Sequence, residues 1–471
     1  MIITFLTQIL TVYKSSIIAA NFGANVELDA YNFANNISLF FLTFVGSGLT
    51  TVVIPAYVKK LDKKAIDTFL SVVFLITGIL LAVTFLFRGQ IVDLLTNREP
   101  EFKVLVCGVM LLTILIQFFP ALLGVTTAHF QCIGKFNIPK IVLLLSNVGI
   151  ILTLTIWKTF SLYEYLYVLF AGALFQFIVD LVIAIKNGFS YHFSLNIHNP
   201  RYKETMRIFI PTLLSTGVYK INTMIDTLLS SNIGAGQLTI LTYANMIVTM
   251  VNSLIIGNLV IYAYPKIVQI VAKNETVAQN ALWKYSIAFH KVVCLILVGF
   301  FCAGREFVGL LFEHGEFSHS AATIVFYCMC IYMIDQQFNI IRDLIYRYFF
   351  AHGDTKYTMK NGVFSSIVNI FLSIILVQYI GLFGIVIGTS VAGLASLISI
   401  LIKFRRKYGF LAPYKPYLIE FLKNLLMATA TICIIFIIKQ SMPPLNYLLT
   451  FVLYGILCCI IYAIGMLIIK K

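Results

Sequence analysis

The chain has 471 residues, 60% of them hydrophobic and 11% charged, with a mean hydropathy of +0.94, whereas a soluble globular protein is about 45–50% apolar and about 25% charged. Its 34 Lys and Arg against 19 acidic residues give a net charge of +15. That charge is confined to gaps between apolar runs, which excludes a soluble nucleic-acid-binding protein and reads as the loops of an integral membrane protein.

A helix needs about 20 mostly apolar residues to cross a bilayer. Fourteen segments qualify: 2–21, 30–56, 67–95, 104–130, 138–157, 162–185, 206–231, 237–264, 279–303, 319–349, 359–379, 381–402, 417–438 and 445–468. They lack strict alternation, so they read as helices rather than barrel strands. Residues 1–20 have no basic n-region and are interrupted by Lys14, so they read as a retained first helix rather than a signal peptide. The gaps alternate in charge. The even gaps and the tail hold 23 basic residues, among them Lys59, Lys60, Lys63 and Lys64, the group Lys403, Arg405, Arg406 and Lys407, and Lys470 and Lys471. The odd gaps hold six: Arg88, Arg98, Lys103, Lys158, Arg305 and Lys439. By the positive-inside rule both termini of this multi-pass protein are cytoplasmic. None of the nine cysteines forms a CxxC or Cys/His pattern, so no metal or redox site is expected.

Short strings recur at an offset of 206–219 residues. Val12-Tyr13-Lys14 returns as Val218-Tyr219-Lys220, Asn21 to Ala24 as Asn232 to Ala235, and Tyr31 to Ile37 as Tyr243 to Ile247. Pro55 matches Pro265, and Gly134-Lys135 matches Gly353-Asp354. The period spans six helices, an even number, so both copies share one orientation, as in transporters built of parallel repeats. The expected fold is all-α and membrane-integral, with about 14 transmembrane helices. An N-lobe (1–190) and a C-lobe (204–408) are related by a pseudo-twofold axis along the membrane normal, and two helices (417–471) are added. Two such lobes enclose a cavity that opens to either side.

A charged side chain at mid-bilayer costs about 2.5–3.5 kcal/mol, which makes each one a functional candidate. Lys14 lies in the first span, and Lys220 and Asp226 in the seventh, its counterpart. The second span carries Asn32, Asn35 and Asn36 at i, i+3, i+4, and the eighth carries Asn245 and Asn252 on one face. These are the candidate cavity residues, with interhelical hydrogen bonding as the alternative for the asparagines. Two lysines suit an anionic cargo. In the tenth span Asp335, Gln336, Gln337, Asn339, Arg342 and Asp343 read as bundle stabilisation before substrate contact, and Asp180 stands alone in the sixth.

Phe22-Gly23-Ala24 with Asp29-Ala30, residues 46–55 running into a Lys-rich loop, Leu311-Phe312 with Gly315 and Phe317, and Phe349 to Thr355 with Asn369 and Gly381 to Gly388 together resemble the MurJ/MviN flippases. These belong to the multidrug/oligosaccharidyl-lipid/polysaccharide exporter superfamily. The resemblance runs over roughly residues 5–405 and implies transport of lipid II, the undecaprenyl-pyrophosphate-linked peptidoglycan precursor, or of a related lipid-linked anionic oligosaccharide, to the outer leaflet for cell-wall biosynthesis. It adds Asp29 to the cavity residues. It also implies a cation site over Asp226, Asn369, Ser373, the Ile385 carbonyl and Thr389, with sodium or a proton as coupling ion and no other cofactor; pairing of Asp226 with Lys220 is the alternative. Ser373 stands where the family usually has Asp. The family's cavity arginines are mostly missing, their positions falling on Lys14, Asn21, Phe40-Phe41 and Met246. Membrane lipids and cell-wall synthesis enzymes are the implied partners, and nucleic acid is not one. A cation-coupled multidrug exporter and a membrane glycosyltransferase or polymerase are the alternatives. The second would make the chain an enzyme, and the short acidic external loops speak against it. An ATP-driven pump is excluded by the missing GxxxxGK[ST] motif.

Overall fold

The computed structural model describes residues 2–58, 63–442 and 446–470, with side chains described outside positions 43–58, 208, 211–216, 219 and 468–470. Lys59, Lys60 and Lys471 of the loop charge, and the side chains of the 46–55 stretch, of Tyr219 and of Lys470, lie outside the described residues. Every regular element among those residues is helical: α1 (Ile2–Phe22), α2 (Val26–Val58), α3 (Lys63–Leu86), α4 (Arg88–Leu95), α5 (Pro100–Cys132), α6 (Ile138–Trp157), α7 (Leu162–Lys186), α8 (Pro200–Ile233), α9 (Gln237–Val251), α10 (Gly257–Val271), α11 (Glu275–Phe312), α12 (His319–Ala351), α13 (Thr355–Ile380), α14 (Leu382–Tyr408), α15 (Lys415–Ser441) and α16 (Tyr447–Lys470). With α9 and α10 taken as one rod and the short α4 set aside, fourteen long helical segments remain. Twelve of them are long and apolar enough to cross a membrane; α2 and α8 are the other two.

Two expected spans differ in detail. The segment 67–95 is broken after Leu86: Phe87 adopts φ −102°, ψ 16°, and α4 starts afresh at Arg88-Gly89. The segment 237–264 runs on to Val271 and contains a π-turn at Asn252–Ile256, closed by the Gly257 N–H donating to the Asn252 carbonyl. Asn258 holds the widened turn by donating its amide to the carbonyls of Leu254 (2.8 Å) and Ser253 (3.3 Å). An extra residue in one turn leaves carbonyls without their usual donors, and a side-chain amide one turn on is the local remedy.

The chain divides into two compact units, Met1–Thr239 and Ile240–Lys471. In the first, α2 is central and packs along α5 and α8, sealed by Phe33 against Phe102 and by a hydroxyl pair, Ser38 with Thr113 at 3.1 Å. The connection from α7 to α8 is not a free loop. Lys63 donates to Ser190, the Ser71 and Tyr191 hydroxyls meet at 2.8 Å, the Ser194 amide donates to Ser71 at 3.0 Å, and Thr68 bonds the Ser194 hydroxyl at 2.9 Å. Phe189 and Tyr191 pack into the α3 core of Phe69, Leu70 and Val73. This segment forms a strap along α3.

In the second unit, α13 and α14 meet at backbone distance. A Cβ on Gly384 would collide with the Leu376 backbone, and one on Gly388 with Ser373. Two glycines four residues apart permit that approach, the small-residue logic of membrane helix pairs. α15 and α16 dock on α11 through the pairs Lys291–Glu420 (2.7 Å) and Lys439–Glu306 (2.5 Å), and through an apolar seam that includes Cys302, Ala428 and Cys458. All nine cysteines are free thiols.

The repeat shows in local geometry. Gly134 and Gly353 both take a left-handed backbone, φ 76° and 75°. Each is followed by an amide reaching five residues back, Lys135 to Phe130 (2.8 Å) and Asp354 to Phe349 (2.9 Å). That is one helix-ending motif used twice. Within its own unit each repeat also keeps the same pairings: α2 on α3, α5 on α7 and α6 on α7 in the first; α10 on α11, α12 on α14 and α13 on α14 in the second.

Candidate functional site

Lys14 sits half-buried midway along α1 and donates to Asn147 Oδ1 of α6 at 3.2 Å. An ammonium has three donors. The other two have no protein partner among the described residues. Seven residues on, Asn21 holds the α6–α7 turn, donating to the Phe160 carbonyl (2.7 Å) and accepting from its amide (3.3 Å). Lys220 and Asp226 are half-buried on α8 in the same unit, and both are engaged in interactions there. The sequence reading passes over Asn147, although a single amide in an apolar span was the available signal.

The α2 asparagines fan out to three helices. Asn32 donates to Thr239 Oγ1 of α9 (3.2 Å), Asn36 to Thr227 Oγ1 of α8 (3.0 Å), and Asn35 accepts from Gln117 of α5 (2.7 Å). Asp29 is fully buried, and its carboxylate accepts from the Gly236 amide (2.7 Å), the Thr239 amide (2.9 Å) and the Thr239 hydroxyl (2.8 Å). Arg98 stands 3.6 Å away. Asp29 therefore caps the start of α9 from another helix, satisfying amides that the first turn cannot satisfy itself and placing a negative charge at the positive end of the dipole. The turn it grips needs glycine. Gly236 has φ 78°, and a Cβ there would strike the Ala24 carbonyl.

On α9 and the π-turn that follows it the pattern is different. Asn245, Thr249 and Ser253 are spaced i, i+4, i+8 and are all exposed. The one side-chain bond joining them is Thr249 to Asn245 at 3.4 Å. Thr249 and Ser253 were not among the sequence candidates. Asn252, at the π-turn, points elsewhere and donates to Gln336 of α12 at 3.3 Å.

The α12 group bonds partly within its own helix and partly to α11 and α14. Asn339 donates to Asp335 (2.5 Å), Arg342 pairs with Asp343 (3.0 Å), and Gln337 accepts from the Cys294 thiol (3.4 Å). A Cβ on Gly393 would collide with the Asp335 carboxylate, so that carboxylate lies against the α14 backbone. Asp180 of α7 is fully buried, and neither carboxylate oxygen has a protein partner among the described residues.

The α13 and α14 members of the expected cation site do come together. Asn369 donates to Thr389 (2.8 Å), Ser373 to Asn369 (3.4 Å) and Thr389 to the Ile385 carbonyl (3.0 Å). The donors are oxygen-rich, as a hard cation requires. Neither helix, however, carries an acidic residue, and the three side chains satisfy one another. α13 and α14 by themselves supply only neutral donors to the expected set. Asp226, the one carboxylate in the expected set, stands on α8 in the first unit.

The Gly353-Asp354-Thr355 loop is a clasp. Asp354 accepts from Lys407 and Tyr408 at the end of α14, and these bonds hold its carboxyl below the usual carboxylate range. His352 meets Glu275 at the start of α11 at 3.1 Å.

The family model described as lipid II flippase MurJ matches residues 18–457. Among curated proteins, the probable lipid II flippase MurJ of Rickettsia prowazekii (strain Madrid E) is 25% identical over 410 residues, covering 83% of this chain and 79% of its own. That of Synechocystis sp. (strain ATCC 27184 / PCC 6803 / Kazusa) is 25% identical over 425 residues, covering 84% and 78%. Among solved structures, the inward closed conformation of a lipid II flippase MurJ superposes with a TM-score of 0.83 at 24% identity, over 99% of this chain and 98% of that one. An inward-facing multidrug resistance MATE family transporter of the MOP superfamily follows at 0.69 and 14%, over 86% and 95%. These likenesses carry the fold, and the family model, spanning nearly the whole length, carries the kinship: the chain belongs to the lipid II flippase MurJ family.

Proposed function

We propose that this membrane protein moves lipid II, or a closely related lipid-linked anionic oligosaccharide, from the inner to the outer leaflet of the bacterial cytoplasmic membrane by alternating access, for cell-wall synthesis. The family match over residues 18–457 carries this reading. The lysine-rich gaps then face the cytoplasm, with both termini on that side. Lys14 supports an anionic cargo, because a half-buried ammonium that spends one of three donors on Asn147 keeps two for a pyrophosphate oxygen. Lys220 holds the matching position on α8 and would supply the second positive charge. Asn245, Thr249 and Ser253 would meet the sugars, as exposed neutral groups. Asp29, Asn32, Asn35 and Asn36 would act by holding α2 against its neighbours rather than by touching cargo. A lysine offers a point charge without the planar fork of arginine, so recognition rests on charge more than on bidentate geometry. The membrane potential supplies about 2.3 kcal/mol per charge per 100 mV, enough to bias a cavity that carries its cation across. A cation-coupled exporter of cationic drugs shares the fold, and two lysines at matching positions oppose that cargo.

The test is rescue of a flippase-depleted strain, with mass spectrometry of the lipids left on the inner leaflet. Lys14→Ala and Lys220→Ala should fail to rescue and should accumulate lipid II, while Lys14→Arg keeps partial function. Rescue by both alanine variants at normal precursor turnover would remove the lysines from the mechanism. Accumulation of a different lipid-linked saccharide would change the cargo and keep the mechanism.

A further inference from the structure

The strap after α7 forms one wall of a groove whose other wall is α3. Leu75, Gly78, Ile79 and Ala82 of α3 face Tyr191 and Phe193 across a space of about 350 Å³. Gly78 opens it: a Cβ there would meet nothing within 4 Å. The strap wall is fixed by the Ser71–Tyr191 bond and by the Ser194 amide on Ser71. Ile79, on a helix apolar enough to cross the membrane, and Phe193 of the strap stand 62% and 65% exposed. Water has too few polar partners in such a concavity to be retained, so hydrocarbon is the matching filling.

The head end is charged. Lys64 stands in the first turn of α3, and Lys64, Ser71, Leu75, Gly78 and Ala82 follow one another at steps of seven, four, three and four, which keeps them on one helical face. At 1.5 Å per residue Lys64 lies about 10 Å beyond Ser71, and the groove runs about 16 Å from Ser71 to Ala82. The neighbouring Lys63 is tied to Ser190 of the strap. A positive group above a short apolar trough on one face is the complement of an amphiphile with a negative head and a single chain seated below it.

We propose that this groove binds an anionic glycerophospholipid, one acyl chain between α3 and the strap and the phosphate on Lys64. The trough ends at Ala82, which suits an acyl chain; a polyprenyl chain would overrun it. The lipid is therefore a resident of the fold, separate from the transported cargo, and it clamps the strap to α3.

Native mass spectrometry of the purified full-length chain tests this, with phosphatidylglycerol, phosphatidylethanolamine and undecaprenyl phosphate offered in turn. The wild type should retain a phosphatidylglycerol adduct, Gly78→Leu and Ala82→Phe should each lose it by filling the trough, and Lys64→Gln should weaken it about fivefold. Unchanged elution and thermal unfolding certify each variant, and if one fails that check the other decides. Equal phosphatidylglycerol retention by the wild type and the filled variants overturns the site. Equal retention of phosphatidylethanolamine by the wild type overturns the anionic head. Preferred retention of undecaprenyl phosphate, lost on filling, overturns the phospholipid and turns the trough into a tail site for cargo.

Discussion

α2 and the α9–α10 rod occupy the same place in the two repeats, and both carry asparagines near their beginnings, yet they use them differently. On α2 each described asparagine reaches a neighbouring helix: Asn32 to Thr239, Asn35 to Gln117, Asn36 to Thr227. On α9 the motif counterpart, Asn245, stays exposed with Thr249 and Ser253. The amide in a membrane helix is therefore no signature of function. Its partner decides whether it is adhesive or available, and the partner comes from the packing.

Four substitutions sharpen or break that contrast, ordered by expected effect on stability. Asp29→Ala removes the acceptor of three hydrogen bonds in a fully buried site and should lower unfolding stability in detergent by about 3–5 kcal/mol; a cargo ligand alone would leave stability unchanged. Gly236→Ala forces a side chain into a left-handed, crowded turn and should cost about 1–3 kcal/mol in the same measurement. Asn36→Leu breaks one interhelical bond and leaves Thr227 its bond to the Thr223 carbonyl, so a loss of about 0.6 kcal/mol is expected, with transport retained. Asn245→Leu should leave the melting temperature alone and reduce transport between about twofold and tenfold, the range of one lost hydrogen bond. A destabilised Asn245→Leu with normal transport would erase the distinction between the two helices.

The fourteen long segments were legible because a run of apolar residues about 20 long has few other uses. The break at Phe87 was not, since Arg88-Gly89 is a weak stop signal inside an apolar stretch. Nor was the π-turn, which depends on one extra residue that Gly257 and Asn258 accommodate without announcing. Lys14 was legible as a charge in the wrong solvent, but its bond to Asn147 required α1 and α6 to be side by side. Asp29 was legible only as a family position; its partners are the α8–α9 turn, more than 200 residues away. The strap could have been read from the alternation of Phe189, Tyr191 and Phe193 with Ser190, His192 and Ser194, a period-two pattern hidden within what looked like a polar gap.

That strap sets the length of a leash. From Lys186 to Pro200 the connection looks long enough to let α7 and α8 drift freely. With Ser190, Tyr191 and Ser194 pinned to α3, only residues 195–199 remain as slack, and at about 3.3–3.6 Å per residue these reach about 17 Å at full stretch. Any travel of the foot of α8 relative to α3 is bounded by that radius. Cutting the chain at residue 196 or 197 would therefore lengthen the stroke without touching a single cargo contact.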